Sequence, residues 1–270
     1  MAGMLSFSAG TALVIYAISQ VPALGWLDWR TCGLGLAGIA VLGAFTRIQA
    51  TSPSPAIPSW LARSRTLIAG NAALVAAGMF VDGVLFILTL LTQRLWGYTA
   101  LQFGGAAAVM TATSVVGSWL AQRAIAKLGT RPVTAAGLTL LCLAGAVFAV
   151  TATATRATAL LVTGMVLFGA GMGAVFVAGS VASLHGVSDQ DSGVASAVQN
   201  ISFTMGSVLG VAILSTVAAA TTDHLSPPPG AAAPLATGYQ AALAAAAIIA
   251  VTGLAATTMI AGHRQTAEPR

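Results

Sequence analysis

Charged residues are scarce in this sequence, which has eleven Lys/Arg and six Asp/Glu among its 270 residues. A soluble domain is about one-quarter charged, so these residues are too few to cover a surface that faces water. They fall in short clusters, and the stretches between them are apolar over about 18 residues or more, the pattern of membrane-spanning helices. The shortage of charge excludes an ordinary soluble protein and predicts that lipid surrounds most of the chain.

Cysteine and histidine are also rare. Cys32 and Cys142 lie within or beside apolar segments without a second Cys or His at metal-ligand spacing, so we expect free thiols and no metal site. The histidines fall in different predicted loops, and no Ser-His-Asp arrangement accompanies them. A membrane enzyme or a receptor-like binding module would need clustered polar residues facing one cavity, or a sizeable domain outside the membrane. The sequence has neither, so we predict that the protein is not an enzyme.

The formal net charge of +5 does not indicate nucleic-acid binding. The basic residues occur singly or in small groups between hydrophobic segments, without a basic face or an interleaved aromatic platform. We therefore expect membrane lipid, and no nucleic acid, as a partner.

Eight apolar runs predict an all-α integral membrane protein with about eight transmembrane helices. Charge, proline or glycine separates the runs, whose predicted ranges are 3–23, 31–48, 67–92, 101–122, 132–153, 158–184, 192–220 and 236–261. No basic residue precedes the first run and no clear cleavage site follows it, so we expect a retained helix rather than a signal peptide.

Two polar stretches divide the helices. The stretch from Arg47 to Thr66 holds three prolines and separates a leading helix pair from a block of six. The stretch from Thr221 to Thr237 contains Pro227–Pro229, which cannot continue a helix, and predicts an exposed loop. The predicted organisation is a two-helix hairpin (1–48), a cytoplasmic linker (49–66), a six-helix bundle (67–262) and a cytoplasmic tail (263–270).

An even number of helices places both termini on one side of the membrane, and the basic residues predict which side. The set of loops shared with the termini holds eight basic residues: Arg47, Arg63, Arg65, Arg123, Lys127, Arg131, Arg264 and Arg270. The opposite set holds three: Arg30, Arg94 and Arg156. The positive-inside rule therefore predicts a multi-pass protein of the cell membrane with both termini in the cytoplasm. Arg30 after the first helix, taken alone, favours the reverse orientation.

Three stretches, Gln93 to Gly104, Asp191 to Ala212 and Gly3 to Trp26, carry recognisable motifs. Together they resemble the fourteen-helix drug:proton antiporters, a branch of the major facilitator superfamily. The stretch 93–104 is similar to the family's Leu-Gln-x-x-x-Gly-Tyr-Ser/Thr-x-x-Gln-x-Gly pattern. The stretch 191–212 is similar to Asp-x-Gly-x-Ala-Ser-Gly-x-x-Asn followed by Gly and Leu-Gly-x-Ala, and Gly3 to Trp26 resembles the family's seventh helix. In the first two stretches the matching positions are Gly97, Gly104, Asp191, Gly193, Ala195, Ser196, Asn200, Gly206 and Gly210.

The resemblance implies that the chain corresponds to the last eight helices of such a transporter. It has no counterpart of the N-terminal six-helix half, and Phe203 and Ala197 replace the family's usual arginine and glycine. The implied function is export of lipophilic drugs or antibiotics in exchange for protons, with the proton gradient as energy source and no cofactor. The implied partners are a small lipophilic substrate and the missing half. The alternative is a truncated or split half-transporter without activity of its own, acting only as a membrane-embedded partner subunit.

Asp82 is the candidate for proton coupling or cation binding. It is the only acidic residue in the interior of a predicted helix, and a carboxylate at bilayer depth must be protonated, paired or open to a water-filled cavity. The alternative is a protonated carboxyl bonded to a neighbouring helix or covered by the missing half.

Other polar residues have candidate roles with a structural alternative for each. Gln93, Gln199 and Asn200 could line the substrate path or form hydrogen bonds between helices. Arg123, Lys127 and Arg131 flank Gly129 in a predicted cytoplasmic basic loop that resembles a degenerate loop motif of the superfamily, or anchors the protein to lipid head groups. Asp189 and Asp191 are expected to cap the seventh helix.

Overall fold

The computed structural model describes residues 8–17, 20, 25, 28–51, 64–154, 157–189, 191–225 and 232–257. All regular structure in these ranges is helical, which confirms the all-α prediction. The helices are α1 (Ser8–Ala17), α2 (Trp29–Thr51), α3 (Arg65–Leu90), α4 (Ala100–Leu128), α5 (Thr130–Thr153), α6 (Thr158–Ser183), α7 (Ser192–His224) and α8 (Ala232–Ala256). A π-helical segment, Leu91–Leu95, continues α3.

Six of these helices, α3 to α8, are long and apolar enough to cross a membrane. The apolar parts of α1 and α2, Ser8–Ala17 and Trp29–Ala44, are shorter. The predicted membrane protein, with a leading pair and a block of six helices, is therefore confirmed. Most of the predicted linker and the whole tail lie outside the described residues, and the domain boundaries stay predictions.

Local residues explain where α4 begins and ends. Thr99 precedes it in extended conformation and forms a capping box with Gln102, in which each side chain accepts a hydrogen bond from the other residue's backbone N–H. The helix ends at Gly129, whose φ of 85° is unfavourable for other residues. The prediction of a basic loop was wrong, because Arg123 and Lys127 lie within α4 and Arg131 lies in the first turn of α5. Charge interrupted the hydrophobic pattern without ending the helix.

The predicted loop before the last helix was also too long. α7 continues to His224, so Asp223 and His224 belong to its last turn instead of to the loop. The described part of that connection on the α7 side is Leu225 alone, and Pro227–Pro229 lie outside the described residues.

The fold places α3 at the centre of the six-helix bundle. It packs against α6, α7 and α8, whereas α4 packs mainly against α6, and α5 packs against α6 and α8. Phe168 of α6 forms the core with edge-to-face contacts to Phe80 of α3 (5.4 Å between ring centroids) and Phe148 of α5 (6.1 Å). Such aromatic pairs stabilise a core beyond the area they bury.

Glycines bring the bundle helices close together. A Cβ on Gly206 or Gly210 of α7 would collide with the α3 backbone at Val75 or Met79. On α6, Gly169 and Gly173 face the α4 backbone in the same way. Small residues at these contacts allow the close approach that drives helix association in lipid.

Candidate functional site

Asp82 lies near the middle of the membrane span formed by α3 and its π-helical extension, Arg65–Leu95. It shares one face of α3 with Asn71, Val75, Gly78 and Phe86, since these positions recur every three or four residues. We call this set the Asp82 face. Asp82 itself is half-buried, and its carboxylate forms no hydrogen bond or ion pair with another described residue. The only helix-interior acid of the predicted bundle is therefore neither neutralised by a cation nor fully buried.

The Asp82 face borders α7. Gly78, one turn before Asp82, lies against the backbone of Phe203 and Ser207, and Met79 lies against Gly210. Because the two helices touch at backbone level, the side chain of Asp82 emerges beside their contact. It lies about 6 Å along the helix axis from Gly78, the rise of four helical residues.

Phe203 connects α7 to α6. Its ring forms an edge-to-face contact with Phe176 of α6, with centroids 5.8 Å apart and planes at 87°. Phe176 remains exposed although it is a large apolar side chain, and Phe203 is half-buried. The backbone carbonyl of Phe203 also lies against Gly78, one turn before Asp82, so this aromatic pair belongs to the part of the bundle where α3 meets α7.

Gln199 forms a second connection between α6 and α7. Its amide Nε2 donates to Ser180 Oγ at 2.5 Å, and its Oε1 accepts from Ser183 Oγ at 3.1 Å. α6 and α7 both pack on α3 but share few direct backbone contacts. The amide of Gln199 and the Phe176–Phe203 pair therefore hold the two helices together across α3.

Two buried oxygens near the contacts of α3 with α6 and α7 lack a hydrogen-bond partner among the described residues. One is Asn71 Oδ1 on the Asp82 face, whose Nδ2 donates to Leu67 O at 2.9 Å. The other is Ser207 Oγ on α7, beside Gly78. A buried oxygen without a partner costs about 1–3 kcal/mol. The contact of α3 with α7 is therefore not optimised for stability alone.

The polar contacts among α3, α6 and α7 were not predicted from the sequence. Ser180, Ser183 and Ser207 gave no signal because serines are common on apolar helices, where they bond to their own backbone. Asn71 could have been found, since it lies eleven residues before Asp82, which is three helical turns and the same face.

The three amides predicted for the substrate path do not form one cluster. Gln93 is exposed on the π-helical segment at the end of α3. Gln199 and Asn200 lie about two turns into α7. The start of α7 packs near the start of α3 through Leu67 and Ala195. Gln93 is therefore at the opposite end of the bundle, and Asn200, which is exposed, points away from the hydrogen bonds of Gln199.

The first motif, 93–104, builds the turn between α3 and α4. Gly97 has a φ of 69°, which favours glycine, and Trp96 packs edge-on against Tyr98. The Tyr98 hydroxyl shares a 2.8 Å hydrogen bond with Thr158 at the start of α6. Gly104 is exposed on α4. The motif thus fixes the chain between the end of α3 and the start of α6.

The second motif, 191–212, supplies the contact of α7 with α3. Gly206 and Gly210 form the close approach, and Ala195 is fully buried, whereas Gly193 and Ser196 are exposed. The expected capping by Asp191 was wrong: its carboxylate accepts from Ser188 Oγ at 3.0 Å and makes no capping bond. The backbone of Asp191 is helical (φ −96°, ψ −6°) rather than extended, so its side chain does not reach back to the helix N–H groups.

A metal centre has no support among the described residues, since no three His, Cys, Asp or Glu side chains cluster there. Cys32 is exposed and Cys142 is half-buried, and neither forms a disulfide. The described side chains therefore offer one acidic group in mid-span, Asp82, on a helix that is otherwise largely apolar.

No protein-family model matches the chain. It is 25% identical over 225 residues to the tetracenomycin C resistance and export protein of Streptomyces glaucescens, a match covering 83% of this chain and 42% of that protein. It is 26% identical over 230 residues to the MFS-type transporter EfpA of Mycobacterium tuberculosis, covering 83% and 42%. It is 26% identical over 288 residues to the puromycin resistance protein pur8 of Streptomyces alboniger, covering 98% and 54%.

These similarities confirm the resemblance to drug-resistance and export proteins of the major facilitator superfamily, which are transporters and not enzymes. The chain spans about half the length of these relatives or less, which agrees with a match to the C-terminal part of a fourteen-helix transporter.

Proposed function

Because the chain is a relative of major facilitator drug-resistance and export proteins, we propose that it exports lipophilic drugs or antibiotics in exchange for protons, as part of a longer or two-part transporter. One observation carries this proposal. Asp82 is a half-buried carboxyl in mid-span, without a partner among the described residues, beside the contact of α3 and α7.

Asp82 couples protons by competition. A carboxylate inside a membrane is costly unless it is hydrated, paired or protonated, so it binds either a proton or a cationic substrate when the site opens to water. Asp82 takes up a proton when the site is open to one side of the membrane, and a cationic drug replaces that proton when the site is open to the other side. The proton and the drug each neutralise the same carboxylate. No cofactor takes part in this exchange, whose energy source is the proton gradient.

The surroundings of Asp82 suit a lipophilic substrate. The Phe176–Phe203 pair and the exposed Phe86 provide aromatic and apolar surface within a few turns of the carboxyl. Gln199 keeps α6 and α7 in register, whereas the exposed amides of Gln93 and Asn200 are free to contact polar parts of a substrate at either end of the path.

The proposed transporter has its termini in the cytoplasm, as the distribution of basic residues supports. Transporters of this kind work by rocking one repeat against another around a site at the membrane midplane. We assign the opposing wall of the Asp82 site to a six-helix half equivalent to that of the relatives. The chain's six-helix bundle is then one of the two rocking units, and the α1–α2 hairpin and linker connect it to the other.

Transport in inside-out membrane vesicles from cells that produce the native protein tests the proposal. We expect a proton gradient to drive uptake of a fluorescent lipophilic cation, and D82N to lower this uptake by about 10- to 100-fold, the loss of one charge-assisted contact. D82E should keep part of it. D223N is the matched control, because Asp223 is an exposed acid at the end of α7 and should behave as wild type. Proton-dependent export by D82N equal to wild type would refute the role of Asp82.

The alternative, a half-transporter that acts only as a partner subunit, is distinguished by mass. Intact mass of the native protein, captured with an antibody to residues 263–270, gives 26.8 kDa if the chain is a separate polypeptide. In that case vesicles with the chain alone should not transport, and transport should return with the partner half. A mass roughly twice as large, like that of the relatives, supports one continuous transporter.

A further inference from the structure

The uncovered side of α4 has two unlike edges. At about 100° per residue, Thr111 and Gln122 follow one edge, which is polar. Val116, Leu120, Arg123 and Lys127 follow the other, which we call the apolar-basic edge. Val116, Leu120 and the two basic residues are all exposed. An edge that changes from aliphatic to cationic toward the helix end has the profile of a surface that faces lipid tails and then head groups.

Trp119 lies between the two edges, and the guanidinium of Arg123 stacks on its ring. The guanidinium carbon of Arg123 is 3.4 Å from the centre of the Trp119 ring, a close cation–π stack. Trp119 is 50% exposed, so the stack lies on the outer surface of the helix. Stacking fixes the guanidinium with its N–H donors free to form paired hydrogen bonds to phosphate oxygens.

Two more cations lie at the same end of the bundle. Lys127 is one turn beyond Arg123, about 6 Å further along the axis, and Arg131 follows after the glycine at the helix junction. Neither these two residues nor Arg123 forms an ion pair with another described residue. Arg131 stands in the first turn of α5, which has no side-chain cap, where the helix dipole repels a cation and attracts an anion.

We propose that Trp119, Arg123, Lys127 and Arg131 bind the phosphodiester head group of an anionic phospholipid, with its acyl chains along Val116 and Leu120. Arg123 and Lys127 contact the phosphate, Trp119 orients Arg123, and Arg131 with the start of α5 adds positive potential. Anionic lipids are concentrated in the cytoplasmic leaflet, on the side where the proposed topology places these residues.

Native mass spectrometry of the purified protein in equal amounts of phosphatidylglycerol and phosphatidylcholine measures the site. We expect wild type to retain phosphatidylglycerol in preference. R123Q/K127Q should weaken this retention about 30-fold, since each basic residue near an anionic membrane contributes about fivefold. W119L should weaken it about two- to fivefold, the value of an exposed cation–π contact. Retention should fall with salt.

R30Q is the matched control, since Arg30 also lies near a tryptophan, Trp29, but at 5.4 Å and beside the Asp28 carboxylate, which accepts from the Arg30 backbone N–H. It should retain phosphatidylglycerol as wild type does. Equal retention by R123Q/K127Q and wild type would overturn the proposal. So would displacement by inorganic phosphate beyond that by chloride of equal ionic strength, which would indicate a site for the free anion. If the double variant aggregates, R123Q alone, with an expected fivefold loss, decides.

Discussion

α3 and α4 are consecutive membrane helices with opposite surroundings. Within the apolar stretch of α3 and its π-helical extension 61% is buried inside the protein, against 11% within the apolar stretch of α4. α3 packs mainly against three other long helices and carries one half-buried acid beside one of them, whereas α4 packs mainly against α6 and exposes most of its side chains. α3 therefore supplies the framework around Asp82, whereas α4 presents most of its side chains to the surroundings of the bundle, with one polar and one apolar-basic edge.

The largest effect that separates the two helices is steric. G210A places a methyl group against the Met79 backbone of α3 and should destabilise the bundle by about 1–3 kcal/mol. G105A, on the exposed side of α4 where nothing lies within 4 Å, should be neutral or stabilising by up to about 1 kcal/mol, because alanine is the better helix former. Thermal unfolding of the purified variants in detergent measures both. Equal melting temperatures would contradict the close contact of α3 and α7.

The next effect concerns the two edges of α4. In a protein whose Cys32 and Cys142 are replaced by serine, T111C on the polar edge should react with a water-soluble maleimide about tenfold faster than A112C, its neighbour towards the apolar-basic edge. Thiols react as thiolates, which lipid suppresses and water permits. Both positions are exposed in the structure, so a difference reports the medium and not burial by the chain. Equal rates would show that the two edges meet the same medium.

The smallest effect tests how α6 and α7 are joined across α3. Q199A removes both hydrogen bonds to the serines of α6 and should lower stability by about 1 kcal/mol, since such bonds in membrane proteins average about 0.6 kcal/mol each. N200A, the exposed neighbour, should change stability by less than that. Unfolding of both variants under identical detergent conditions checks the difference. If N200A costs as much as Q199A, the amide of Gln199 is not the connection.

The positions of most helices in the bundle could be predicted from the sequence. The hydrophobic runs located α3, α5 and α6 to within a few residues, because apolar length decides which segments enter a membrane. The end of α4 was missed because Arg123 and Lys127 interrupt hydrophobicity without breaking a helix, and the stop comes from the backbone of Gly129. Hydropathy responds to charged residues, whereas the end of a helix depends on the backbone conformation at that position.

Asp82 could be identified from the sequence because an acid inside an apolar run is rare. Its surroundings could not, since Phe176 and Phe203 are 27 residues apart and meet only after α6 and α7 pack on α3. The partners of Gln199 were hidden for the same reason, since Ser180 and Ser183 belong to another helix. Pattern along one helix predicts a face, but contacts between helices require the fold.

Proton release on drug binding tests the role of Asp82 most directly. A lipophilic cation is added to the native transporter in weakly buffered detergent solution at a series of pH values, and a pH-sensitive dye records the protons released. We expect release by wild type and by D223N, and none by D82N, because the drug displaces the proton of Asp82. Equal release by D82N and wild type would contradict it and place the coupling group elsewhere in the transporter.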